Sequence, residues 1–170
     1  MPSPKTISPI FAIAAALSLA ACGGAANDNA GGDLAATDAP ATQEPAIIAE
    51  RQANLEEMGD AFKPIADTLK TAAPDLDLIA ANAAVISANL KLIPDHFPVG
   101  TGIDDGYDTE ALATIWEKPE EFASAAQDAI AAGEAFLAAA TSRDLAAIKA
   151  GVGKLGNSCK TCHDTFRADD

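Results

Sequence analysis

Between residues 47 and 166, apolar or small residues recur alternately three and four positions apart in four separate stretches, and that spacing is the seam of a left-handed helix bundle. Segment A carries Ile48, Arg51, Leu55, Met58, Phe62, Ile65 and Leu69. Segment B opens after Pro74, with Asp75 near its start, and carries Leu76, Ile79, Ala83, Ile86, Leu90 and Ile93. Segment C follows Pro119, a good first-turn residue, and carries Phe122, Ala126, Ala129, Gly133, Phe136 and Ala140, whose small members imply close helix approach. Segment D, with Asp144 near its start, carries Leu145, Ile148, Val152, Leu155, Cys159, Cys162 and Phe166. No β alternation competes. The links A–B and C–D are short, whereas residues 94–119 are rich in Pro and Gly and hold at most one helical turn, around residues 109–116. The expectation is an all-α, antiparallel four-helix bundle with one long B–C crossover. Pro64 inside segment A should cost one backbone hydrogen bond and bend the helix, yet the stripe continues in phase through Ile65 and Leu69.

Length and the N-terminal residues set the organisation around that bundle. A chain of 170 residues suits one domain with a real core, not two. Lys5 precedes an apolar run over residues 7–21, shorter than the ~20 residues needed to cross a bilayer, so residues 1–21 read as a signal peptide. The run ends in Leu19-Ala20-Ala21-Cys22, which resembles the lipobox of bacterial lipoproteins. An ordinary signal peptide cut at an A-x-A-like site would leave Cys22 a stray thiol, but its place directly at the end of the apolar run favours lipidation. Residues 22–45, mostly Gly, Ala, Asn, Asp, Thr and Pro with almost nothing large and apolar, cannot offset their own ordering entropy and read as a flexible tether. Residues 46–170 are then the bundle domain. The expected location is the periplasmic side of the envelope, attached to the membrane through the lipid. Gly23, where an acidic residue would retain such a protein at the inner membrane, makes the outer membrane the expected one. Loss of Lys5 takes the formal net charge from −14 to −15, and such a surface will not seek nucleic acid or anionic lipid.

Two cysteines fall on the core seam of segment D, within Cys159-Lys160-Thr161-Cys162-His163. This is the C-x-x-C-H haem-attachment pattern, in which two thiols form thioethers to the porphyrin vinyls and the adjacent imidazole reaches the iron. The spacing suits a helix, because Cys159 and Cys162 share one face at i and i+3 while His163, at i+4 from Cys159, projects beside them. A thioredoxin-like pair belongs near a βαβ unit, which is absent, and a zinc site needs four ligands when only His96 and Cys22 are left over. The expected cofactor is therefore a single covalent haem c. His96 sits in a Pro-flanked loop and reads as a second axial ligand, a surface group or a satisfied loop residue. Trp116 and Phe97 read as plugs of the bundle end or haem contacts. Arg51 interrupts an apolar stripe, and a charge there needs a partner. A haem propionate would supply one; alternatively the side chain snorkels to water from a frayed helix start.

With this motif near the end of a four-helix chain, residues 47–167 resemble cytochrome c′, the class II c-type cytochromes. Arg51-Gln52-Ala53-Asn54-Leu55 is similar to the family's first-helix pattern, and Asn157-Ser158 through the motif to Asp164-Thr165-Phe166-Arg167 is similar to its last helix. Ile115-Trp116 also matches, although the Pro that members often carry just before that step is missing, and the family is commonly a free periplasmic protein. The resemblance implies that Arg51 and Gln52 contact the haem, that Leu55 covers its distal face, and that Arg167 lies beside the proximal ligand. It also implies a homodimer through the first two helices, against which the net charge and the tether weigh. A Leu has no lone pair for iron, so the implied haem is five-coordinate and open to NO or CO. Relatives with Met at that place are six-coordinate electron carriers, and Met58, one turn along the same stripe, keeps that alternative open. Electron transfer with redox partner proteins of the envelope fits either case. With His96 as the only other histidine there is no evident distal acid–base pair, and the chain does not read as an enzyme.

Overall fold

The computed structural model describes residues 44–169; the expected signal peptide, Cys22 and residues 22–43 of the tether lie outside the described residues. The described residues are helical, with four long helices and one short one: α1 (Ala46–Thr68), α2 (Leu76–Leu90), α3 (Thr114–Glu117), α4 (Pro119–Ser142) and α5 (Leu145–Phe166). Local chemistry explains most of the boundaries. The Asp75 carboxylate accepts the backbone N–H groups of Asp77 and Leu78, each at 3.0 Å, and starts α2. Asp144 starts α5 in the same way, accepting from Ala146 at 2.9 Å and Ala147 at 3.1 Å. Each such cap is worth about 1 kcal/mol. Pro119 sits at the first helical position of α4, where a missing N–H costs nothing. Arg143, in the left-handed region at φ 58°, turns the chain between α4 and α5. α1 runs unbroken through Pro64.

The helices form two hairpins, α1–α2 and α4–α5, joined where α2 packs on α4. That seam is close: a Cβ added at Gly133 would lie 2.5 Å from Leu90 Cδ1. The buried residues of α4 are the segment C stripe, from Phe122 to Ala140, because this helix has a neighbour along two sides. α1 differs. Its buried residues are Ile48, Arg51, Asn54, Ala61 and Ile65, while Leu55, Met58 and Phe62, expected in the core, are only half-buried. The reason is the open edge of the bundle: α1 packs on α2 and scarcely approaches α5, and the stripe faces a cleft between them. Phe62 closes the cleft's inner end against Gly156, where an added Cβ would lie 3.4 Å from Phe62 Cζ.

The long crossover between α2 and α4 contains two 3-10 turns, Ile93–Asp95 and Ile103–Asp105, and then α3. It is tied to the end of α5 by an antiparallel bridge between Ala111 and Arg167. Leu112 N–H donates to Phe166 O at 3.1 Å and Ala168 N–H to Glu110 O at 2.8 Å. The Thr114 hydroxyl adds a bond to Thr165 O at 2.9 Å.

Candidate functional site

The cleft between α1 and α5 has a volume of ≈1280 Å³, beyond the ~300–1,000 Å³ usual for a small-molecule pocket. Its inner surface is apolar, with Leu55, Met58 and Phe62 from α1, Ile86 and Leu90 from α2, and Phe122 and Ala126 from α4. Charged residues among its lining, such as Glu56, Lys63, Lys160 and Asp164, are exposed and rim the mouth. An apolar slot this wide is unfavourable in water and calls for a large flat apolar group with polar ends.

Cys159, Cys162 and His163 all line this cleft from one wall, α5. Both thiols are free and half-buried. Burial pushes the Cys159 thiol up, and burial together with the neighbouring Cys159 pushes Cys162 up to about 11. Neither cysteine is therefore a ready thiolate of the kind a thioredoxin-like nucleophile needs. The His163 imidazole is shifted down, by burial first and by Arg167 second, against Glu110 and Asp164. The shift favours the neutral form, which offers a lone pair to a metal. Among the described residues no group of three or more His, Cys, Asp and Glu side chains is arranged to hold a bare metal ion. Two adjacent thiols and a neutral imidazole on the wall of a broad apolar slot do fit a covalently attached haem.

Residues 46–167 match the family model described as Cytochrome C′. The chain belongs to the cytochrome c′ family. Cytochrome c′ of Rhodopseudomonas palustris is 40% identical over 123 residues, covering 72% of this chain and 82% of that one. The crystal structure of cytochrome c′ from Rubrivivax gelatinosus superposes with a TM-score of 0.66 at 36% identity, covering 71% of this chain and 94% of the other. A nitric oxide complex of a mutant cytochrome c prime from Alcaligenes xylosoxidans gives 0.66 at 28% identity, covering 74% and 95%. As a member of this family the protein is a c-type haem protein with one covalently attached haem c.

The other expected contacts of this cytochrome c′-type site fall in different places. Gln52, Leu55, Met58, Phe166 and Arg167 line the cleft. Trp116 does not: its indole N–H donates to Phe97 O at 3.0 Å, and its ring lies against Gly102, where a Cβ would approach to 2.5 Å. It pins the crossover, because the indole is spent on that backbone. Phe97 does line the cleft, in an edge-to-face chain with Phe122 (centroids 5.0 Å) that continues to Phe166 (5.3 Å). His96 is not on the lining; its carbonyl accepts from Arg51 at 3.4 Å, and its Nδ1 is buried with no protein partner.

Arg51 is on the cleft wall but only 2% exposed, so it does not snorkel. Its guanidinium donates to Thr101 O and Thr109 Oγ1, each at 2.8 Å, and to Thr101 Oγ1 at 3.1 Å, and it lies 4.7 Å from the Phe97 ring centre. Burial lowers its pKa, with Glu44 opposing. Gln52 makes a parallel tie, its amide donating to Asp108 O at 2.7 Å. Thr101, Thr109 and Glu110 went unseen in the sequence, and no periodicity in the crossover could have singled them out.

The Phe62–Gly156 closure also sets heights along the cleft. α1 and α5 run antiparallel, so seven residues back along α1 and seven forward along α5, about 10 Å at 1.5 Å per residue, bring Leu55 level with His163. By the same count Met58 comes level with residues 159–160.

Proposed function

We propose that this cytochrome c′-type protein binds NO or CO at a five-coordinate haem and exchanges single electrons with redox proteins of the cell envelope. In this reading Cys159 and Cys162 form the thioethers, His163 ligates the iron, and Leu55 is the distal lid. The observation that carries it is that Leu55 and His163 line the cleft from opposite walls, at similar heights by the helix register counted from the Phe62–Gly156 closure, with Met58 about one turn away. The bound haem supplies a one-electron couple and an open iron position for a diatomic ligand. The chain's own part is to hold the imidazole neutral, to keep bulk water off the inner surface with Phe62, Leu90 and Phe122, and to limit access sterically at Leu55. That a relative has been solved as a nitric oxide complex also supports the reading.

The test is spectroscopic. The ferric protein should show high-spin bands without a methionine–iron charge-transfer band, and Leu55→Ala should speed CO and NO association while the haem stays attached. Because a Leu cannot hydrogen-bond a diatomic, truncation acts on association rate more than on the spectrum. A second reading, a six-coordinate electron carrier, draws on Met58 as the one sulfur on the α1 wall. A low-spin starting protein that Met58→Ala turns high-spin would establish it and overturn the first.

The same proposal holds the protein on the periplasmic side through an acylated Cys22, with residues 22–45 as tether. Several acyl chains at ~0.8 kcal/mol per buried methylene make such an anchor effectively permanent. Cys22→Ser should move the protein from the membrane fraction to the soluble one, or leave it unprocessed. Equal soluble amounts before and after the change would refute the anchor.

A further inference from the structure

Two charged side chains from distant parts of the chain meet beside His163. Arg167, one turn after the imidazole, directs Nε at Glu110 Oε2 at 2.5 Å, and both residues line the cleft. The crossover and the end of α5 are already spliced here by the Ala111–Arg167 bridge and its backbone hydrogen bonds. The ion pair is partly exposed, 39% for Arg167 and 52% for Glu110, and a pair of that kind adds little to stability. The splice, made by backbone groups, does not need the carboxylate. What the carboxylate changes is the charge at this point, since a lone guanidinium would set a positive charge against the imidazole and Glu110 cancels it.

We propose that Glu110 is a positioning residue for the haem: it holds the Arg167 guanidinium beside His163 and neutralises it, and thereby lowers the reduction potential of the iron that His163 ligates. The inference rests on His163 being the ligand, as in the function proposed above. The sign follows from charge alone. Ferric iron carries one more positive charge than ferrous, so a nearby net positive charge favours the reduced form and raises the potential.

Redox titration of the purified, haem-loaded protein tests this. Glu110→Gln keeps the shape and a hydrogen-bond acceptor but removes the charge, and should raise the potential with little change in melting temperature. Glu110→Asp should bring it back towards the parent value. Arg167→Gln should shift it the opposite way, which keeps the inference open to refutation even where Glu110→Gln folds poorly. Asp104→Asn removes an equal charge from a crossover carboxylate that does not line the cleft, and should move the potential less. An unmoved potential in Glu110→Gln with thioether haem intact, or an equal shift in Asp104→Asn, overturns the inference and leaves the proposed function standing. A parent protein whose haem is extractable into acid–acetone overturns the function as well.

Discussion

A chain carrying Cys159→Ala and Cys162→Ala together is expected to lose its haem to acid–acetone extraction and, with it, most of its fold. The haem is the natural filling of the ≈1280 Å³ between α1 and α5. Left open to water, the apolar walls forgo the ~25 cal/mol per Å² that burial under the haem would supply. Domain stability is only ~5–15 kcal/mol in total. The loss cannot be made up nearby, because α1 has scarcely any contact with α5 to fall back on. Circular dichroism should therefore show a broad, low-temperature melt in place of a cooperative one. Either single variant should keep one thioether and much of the fold. Haem that stays with the double variant through denaturation would remove Cys159 and Cys162 from the attachment chemistry.

Arg51→Leu is expected to destabilise the loaded protein by about 3–5 kcal/mol, lowering its melting temperature by ~10–20 °C for a domain of this size. The substitution strands the buried Thr101 carbonyl, which loses a 2.8 Å donor, and leaves the Thr109 hydroxyl only the Ala111 N–H at 3.3 Å. Unsatisfied buried groups of that kind cost ~1–3 kcal/mol apiece, and the contact over Phe97 is lost with them. Arg51→Lys should fall between, since an ammonium cannot span both threonines with a planar fork. The crossover should also become the first site of proteolysis, since Arg51 and Gln52 are its ties to α1. A change below 0.5 kcal/mol would show that the Arg51 hydrogen bonds do not hold the crossover.

The bundle was legible in the sequence wherever a helix meets neighbours along its whole length. Segment C is the clearest case, its stripe being the buried set of α4. Segment A's stripe is only half-buried at Leu55 and Met58: periodicity reports which residues avoid water, and a wall meant for a cofactor looks the same as one meant for a helix. Asn54, buried and donating to Asn89 O at 3.2 Å, carries no apolar signature at all. At the site, the thiols and imidazole were legible because their geometry is local, five residues on one helix. Glu110 and the threonines that hold Arg51 were not, because their partners lie about fifty residues away and the connecting chain has no repeat to betray the register. Trp116 was placed at the right end of the bundle, but spends its N–H on the Phe97 backbone, away from the cleft.

The joining of the two hairpins mainly along α2 and α4 gives the helical domain the construction of a book, bound at one spine and open along the opposite margin. Each cover is a sequence-local hairpin, so either can form before the other without waiting for distant chain to arrive. The two thiols stand on the inner margin of the second cover and the half-buried wall of α1 on that of the first. A flat group as wide as a porphyrin can thus be slipped in from the side, like a leaf between pages, while the binding stays shut. The last residues of α5, stitched to the crossover by the Ala111–Arg167 bridge, act as the clasp.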